Sequence, residues 1–99
     1  MDKNTGIKIE VIDEICKIAE ECSIEKIILF GSRARGDYKN TSDIDLAISG
    51  GNGDRFSFLV EEDTNTLLKY DIVNLDYSVQ KELLESIRRE GRVLYEKIW

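Results

Sequence analysis

Two aspartates separated by a single residue, Asp43 and Asp45, are the residues of this sequence best placed to do chemistry. In an extended strand the side chains alternate between two faces, so both carboxylates are expected to project from the same face. Like charges held this close repel each other, and Mg²⁺, which prefers hard oxygen ligands, relieves that repulsion. Apolar neighbours, Ile44 and the run 46–48, indicate a buried strand, where a charged side chain is costly unless it is paired or binds a metal. Two solvated aspartates at a strand end are the alternative.

A second candidate feature is the pair Gly31 and Ser32, which directly follows a short apolar run. Glycine lets the backbone turn sharply and approach a ligand closely. A helical turn after it would present free backbone N–H groups, which suit phosphate. Arg33 and Arg35 are near enough in sequence to meet phosphate charge. An ordinary strand-to-helix turn is the alternative.

A third carboxylate could complete the set. Asp71 opens a predicted strand, and a carboxylate there could join a metal site from an adjacent strand. Its rival is Asp76, which lies past the end of that strand and is expected to serve the following turn. A phosphate-binding turn, paired carboxylates and a third carboxylate are together the inventory for two-metal phosphoryl or nucleotidyl transfer.

The elements that must position these residues follow from the spacing of apolar side chains. Continuous apolar runs predict buried strands over 26–30, 43–48 and 71–75, with a further short extended segment over 93–95. Periodicity predicts helices over 9–22 and 56–68, and a last helix that is N-capped by Ser78 and ended by Gly91 in a left-handed cap. The polar stretch 32–40 is expected to be a turn with room for one helical turn.

This alternation predicts an α/β (α+β) fold, a small mixed sheet of about three to four strands flanked by helices. The chain has 99 residues, which predicts a single domain over 1–99. Its net charge of −6 makes it a poor non-specific binder of nucleic acid, and the absence of histidine excludes histidine-based catalysis and most zinc sites. Cys16 and Cys22 are expected to be small buried hydrophobes in a reducing cytosol. No signal peptide or membrane span is apparent, so a cytoplasmic protein is expected.

The segment Gly31–Gly36, followed by Ser42–Ile48, resembles the signature of the minimal nucleotidyltransferases of the DNA polymerase β-like superfamily. The resemblance implies that superfamily's core fold and an enzyme that uses ATP and two Mg²⁺ ions. It assigns Gly31, Ser32 and, more weakly, Arg35 to the nucleotide phosphates. It assigns Asp43, Asp45 and Asp71 to the metals and to catalysis, with Asp71 helping to deprotonate the acceptor hydroxyl.

Minimal nucleotidyltransferases similar to this chain are often the antitoxin partners of HEPN-domain toxins, and transfer AMP to a tyrosine of the toxic ribonuclease. The resemblance therefore implies AMP transfer to a protein hydroxyl. Transfer to a small molecule such as an aminoglycoside, and a non-catalytic binding module, remain alternatives. A template-directed polymerase is not expected, because no basic channel is present. Exposed apolar residues near the C-terminus, Tyr95, Ile98 and Trp99, are expected either to form an oligomer interface or to cover the core.

Overall fold

The computed structural model describes residues 5–98, and within this range the chain forms four helices and four strands. In chain order they are α1 (Ile9–Glu21), β1 (Lys26–Phe30), α2 (Ser32–Arg35), β2 (Ile44–Ser49), α3 (Gly53–Asp63), β3 (Tyr70–Asn74), α4 (Lys81–Glu90) and β4 (Arg92–Glu96). The strands form one sheet in the order β3-β2-β1-β4. β2 runs parallel to β3, whereas β1 is antiparallel to both β2 and β4. The predicted mixed sheet flanked by helices is confirmed.

The main core lies between the sheet and the layer formed by α1 and α3. Alternate residues of β1, β2 and β3 face this layer, because side chains in a strand have a period of two. The buried residues of this core include Ile27 and Leu29 of β1, Ile44, Leu46 and Ile48 of β2, Val11, Ile15 and Ile18 of α1, and Phe56 and Val60 of α3. Such burial is the main source of the stability that holds the strands in register.

The opposite face of the sheet is covered by α4. Phe30, Ala47 and Ile87 form a smaller buried cluster there, with Val73 packed against it. Asp45 and Asp71 have the same strand parity as Ala47 and Val73, so both aspartates belong to this second face. The sheet therefore has one face committed to the core and one that is shared between a small apolar cluster and carboxylates.

Most predicted boundaries agree with the structure. β1 has the predicted limits, α1 ends one residue before Cys22, and the single helical turn expected after Gly31 is α2. The extended segment predicted over 93–95 is the centre of β4. Both cysteines are free, and Cys22 is buried. Within residues 5–98, no helix combines the length and the apolar character needed to cross a membrane.

The helix predicted over 56–68 is wrong in its second half. α3 begins at Gly53, where the Asn52 side chain accepts a hydrogen bond from Arg55 N at 3.1 Å, and it ends at Asp63. The following residues favour side-chain hydrogen bonds over helix. Thr64 Oγ1 bonds back to the carbonyl oxygen of Val60, and residues 64–69 form a loop.

The predicted caps of the last helix are also wrong. α4 begins at Lys81 rather than after Ser78, and its first residue follows Gln80, which makes no capping side-chain hydrogen bond. Gly91 does end α4, but with φ −65° instead of a left-handed cap, because the chain passes directly into β4. A Cβ atom at Gly91 would overlap the Ile87 carbonyl oxygen and approach Ile28 closely, so a lack of space explains this glycine.

The apolar residues near the C-terminus, which were expected either to cover the core or to form an interface, differ in burial. Tyr95 packs against the core, whereas Ile98 is 94% exposed. Trp99 lies outside the described residues.

The loop between α2 and β2 is held in place by Arg33, which is only 1% exposed. Its guanidinium donates hydrogen bonds to four backbone carbonyl oxygens, those of Thr5 at 2.9 Å, Ser42 at 3.0 Å, Asn40 at 3.3 Å and Lys39 at 3.4 Å. It also lies 4.9 Å from the centroid of the Tyr38 ring. The expectation that Arg33 meets phosphate charge is therefore wrong, because its donors are turned into the protein.

We expect Arg33→Met to lower the free energy of unfolding by about 3 kcal/mol, since it leaves several inward-facing carbonyl oxygens without their donor. Arg35→Met, two residues away at an exposed position, is the matched control and should cost clearly less, because water screens its ion pairs. Urea denaturation followed by circular dichroism measures both. Equal losses in the two variants would contradict a structural role for Arg33.

Candidate active site

The site is organised by the register of two parallel strands. Asp45 of β2 and Asp71 of β3 are direct register partners. Partners on adjacent strands project from the same face of the sheet, so the two carboxylates are neighbours. Asp43 immediately precedes β2 and is exposed. The structure thus brings together the three aspartates that the sequence singled out.

Gly31 lies next to Asp45 because β1 and β2 are antiparallel and Phe30 is the register partner of Asp45. Gly31 has φ +75°, a conformation that side chains other than hydrogen disfavour. A Cβ atom at this position would also overlap the carboxylate of Asp45. Glycine is needed for both reasons, and its absent side chain lets the carboxylate of Asp45 lie directly against the backbone of the turn.

Backbone amide groups at the start of α2 follow directly after this glycine. The first hydrogen bonds of the turn run from Ala34 N and Arg35 N to the carbonyl oxygen of Gly31, both at 3.1 Å. The N–H groups of Ser32 and Arg33 come before these bonds and are not used by the helical turn. They are the groups that the sequence analysis expected to meet phosphate.

The pKa of Asp45 is raised to about 6. Burial is the largest cause, because it removes water from the charged form, and the negative charges of Asp71 and then Asp43 raise the pKa further. Arg35 and Arg33 act in the opposite direction. The three aspartates therefore interact electrostatically, and the two arginines offset only part of their mutual repulsion.

Arg35 lies at the rim of the site and is held by two acidic residues. Its Nη1 donates to both carboxylate oxygens of Glu90, at 3.1 and 3.2 Å, and its Nε lies 3.3 Å from Asp37. These partners raise the pKa of the guanidinium, with Asp37 the largest cause. The sequence analysis missed Glu90, since no local signal links the end of α4 to α2. A phosphate contact by Arg35 remains a prediction.

The rival carboxylate, Asp76, has a structural role as expected. Its Oδ2 accepts a hydrogen bond from Gly50 N at 2.8 Å, and so ties the loop after β3 to the loop after β2.

Within residues 5–98, no three His, Cys, Asp or Glu side chains already form a group able to hold a metal ion. The residues nevertheless fit Mg²⁺ by their chemistry. Asp43, Asp45 and Asp71 supply hard carboxylate oxygens, and Asp43 and Asp71 are exposed while Asp45 is only partly buried. These three aspartates would hold the metal, and that assignment remains a prediction.

Comparison with known proteins agrees with this geometry. Residues 10–98 match the protein family described as "Polymerase beta, Nucleotidyltransferase". A protein of Methanocaldococcus jannaschii named "Putative protein adenylyltransferase MJ0604" is 41% identical over 85 residues, an alignment that covers 73% of this chain and 79% of that protein.

Two solved structures share the fold. A toxin-antitoxin crystallised with AMP-PNP has a TM-score of 0.66 and 22% identity, over 87% of this chain and 73% of that chain. A mutant of the toxin-antitoxin MntA-HpeT has a TM-score of 0.65 and 20% identity, with the same coverage. At this level of identity the likeness establishes the fold.

We expect Asp45→Asn to stabilise the metal-free protein at neutral pH. A carboxyl whose pKa is raised on folding contributes stability when protonated, fully below its ordinary value of 3.8, and loses that contribution as the pH rises through about 6. Ionised Asp45 therefore costs stability at pH 7, on the order of 1–2 kcal/mol after allowance for its partial exposure.

Thermal unfolding in EDTA between pH 4 and pH 8 measures this effect. The melting temperature of Asp45→Asn should exceed that of the wild type at pH 7, and the two should converge toward pH 4. Asp13→Asn, at an exposed position of α1, controls for the general loss of one negative charge. A wild type that is more stable than Asp45→Asn at pH 7 would contradict the raised pKa.

Proposed function

The chain belongs to the polymerase beta nucleotidyltransferase family and is a nucleotidyltransferase, and on this premise we propose that it transfers AMP from ATP to a hydroxyl group of a partner protein. The observation that carries the proposal is the register pairing of Asp45 with Asp71, with the glycine turn at Gly31 directly against the Asp45 carboxylate. This arrangement places acidic groups next to a backbone segment suited to phosphate.

In the proposed reaction, the Gly31 and Ser32 turn binds the triphosphate of ATP through backbone N–H groups. Arg35 supplies positive charge at the rim of the same site. Mg²⁺ held by Asp43, Asp45 and Asp71 would neutralise phosphate charge and activate the acceptor oxygen when bound. Every one of these residues lies at the same end of the sheet, where β1 ends and β2 and β3 begin.

Transfer of AMP exchanges one oxygen bond at the α-phosphorus for another. The acceptor hydroxyl oxygen bonds to the α-phosphorus of ATP, and the bond from that phosphorus to the oxygen bridging to the β-phosphate breaks. Pyrophosphate leaves with the electron pair of the broken bond. The hydroxyl proton passes to the carboxylate of Asp71, which is exposed near the start of β3 and can release it to water.

The name of the M. jannaschii relative and the toxin-antitoxin structures support a protein acceptor. We infer that the partner is a toxin with a HEPN domain, the acceptor being a tyrosine of that ribonuclease, as the motif resemblance implies. The two free cysteines are suited to a reducing cytoplasm, where we place the reaction.

We expect label from α-labelled ATP, and none from γ-labelled ATP, to appear on a protein when the chain and Mg²⁺ are added to a lysate of the source cells. Loss of Asp45 removes an acidic group from the centre of the site, so Asp45→Asn should lower the labelling at least about a hundredfold. Asp63→Asn, at the exposed end of α3, should label as the wild type does.

Other outcomes of this experiment separate the alternatives. Label on a small molecule or on RNA would retain nucleotidyl transfer and replace the protein acceptor. Full labelling by Asp45→Asn would contradict the assigned site. No label with purified candidate toxin present would favour a non-catalytic binding module.

We also expect ATP to bind at least about tenfold more tightly in Mg²⁺ than in EDTA, because the metal offsets repulsion between the phosphates and the three aspartates. Isothermal titration calorimetry measures both dissociation constants. In the Asp43→Asn and Asp45→Asn double variant the difference should shrink. Equal affinity of the wild type in the two buffers would count against a metal site.

A further inference from the structure

The direction from which an acceptor approaches can be read from the strand order. In nucleotidyl transfer, the attacking oxygen and the leaving pyrophosphate lie roughly in line, on opposite sides of the α-phosphorus. β2, which carries Asp45, lies between β1, which leads into the Gly31 turn, and β3. If the phosphates lie toward Gly31, the acceptor must enter from the side of β3.

We propose that a cleft on that side, named here the acceptor cleft, binds the segment of the partner protein that carries the modified hydroxyl. This proposal rests on the proposed function. The cleft has a volume of about 480 Å³ and lies between the loop before β2 and the loop before β3. It is lined by Asn40, Thr41, Asp43, Leu67, Leu68 and Lys69. Asp43 is thus shared by the cleft and by the acidic set.

Both walls of the acceptor cleft are fixed by hydrogen bonds. In the loop before β2, Lys39 N donates to Ser42 Oγ at 2.8 Å. In the loop before β3, Asn65 N donates to the carboxylate of Glu14 in α1 at 2.9 Å. Walls held in this way reduce the ordering cost of binding, which favours a preformed site for a flexible segment.

Leu67 indicates the chemistry of the occupant. Its side chain is 102% exposed, although the loop that carries it is anchored. A second cavity of about 480 Å³ lies against the same leucine and is lined also by Ile7 and Val11. Two depressions that share an apolar ridge suit an extended peptide whose side chains enter each of them, rather than one compact small molecule. The segment we propose carries an apolar residue close to its modified hydroxyl.

The test compares Leu67→Ser with Phe58→Ser. Both change a large exposed apolar side chain, but Phe58, which is 63% exposed, lies on α3 and lines neither cavity. The acceptor is the protein that becomes labelled by the wild type, purified and titrated with α-labelled ATP. Leu67→Ser should raise the KM for this protein about tenfold, as expected for the loss of one buried leucine contact. Phe58→Ser should leave this KM unchanged, and neither variant should alter the dissociation constant of Mg-ATP.

An unchanged KM in Leu67→Ser would overturn the acceptor cleft while leaving the proposed function intact. Weaker Mg-ATP binding in Leu67→Ser would also overturn it, by assigning the cleft to the nucleotide. An equal rise in KM for Phe58→Ser would show a general surface effect and would likewise overturn it. A wild type that labels no protein would overturn the proposed function and, with it, the cleft.

Discussion

Two carboxylates that stand side by side on neighbouring strands repel each other, and the rest of this structure has to hold them there. Asp45 and Asp71 are register partners on a sheet face where only a small apolar cluster helps to bind the strands together. The compensating free energy comes from the other face, where β1 and β2 bury their alternate side chains against α1 and α3. The core and the site thus lie on opposite faces of the same strands. Burial of apolar side chains in the core offsets the repulsion between the carboxylates of the site.

The ends of the strands were predictable where composition changes abruptly. The apolar run over 26–30 stops at Gly31, and β1 stops there too. The helix predicted over 56–68 failed because Leu67 and Leu68 continue its apolar spacing, while the intervening threonines and asparagine bond to their own surroundings. The spacing of apolar residues alone does not reveal that side-chain hydrogen bonds compete with the helix. From the sequence, β4 was predicted only as a short extended segment, since its pairing with β1 depends on residues more than sixty positions earlier.

The candidate site was predictable as a set of residue types, but not as an arrangement. Arg33 and Arg35 look equivalent in sequence, yet one is buried against backbone carbonyl groups and the other is exposed. The different positions of the two side chains depend on their distant partners, Thr5 for Arg33 and Glu90 for Arg35, which no local pattern identifies. The pairing of Asp45 with Asp71 likewise follows from register, and register is determined by the whole sheet. Gly31 was the exception, because a glycine directly after a buried strand already implies an unusual backbone.

The parallel pairing of β2 with β3 has a consequence for how the protein loses its organisation on heating. Parallel strands cannot be joined by a tight hairpin, so α3 and the loop 64–69 must cross the sheet before Asp71 reaches Asp45. α3 is followed by weak helix formers, the residues 64–66, and its buried contacts rest chiefly on Phe56 and Val60. Local opening of this crossover would separate the acidic pair while the β1 and β4 pairing persists. Asp71 thus depends on the packing of this crossover for its place beside Asp45, and the chemistry of the site is only as durable as a helix that touches none of its reacting groups.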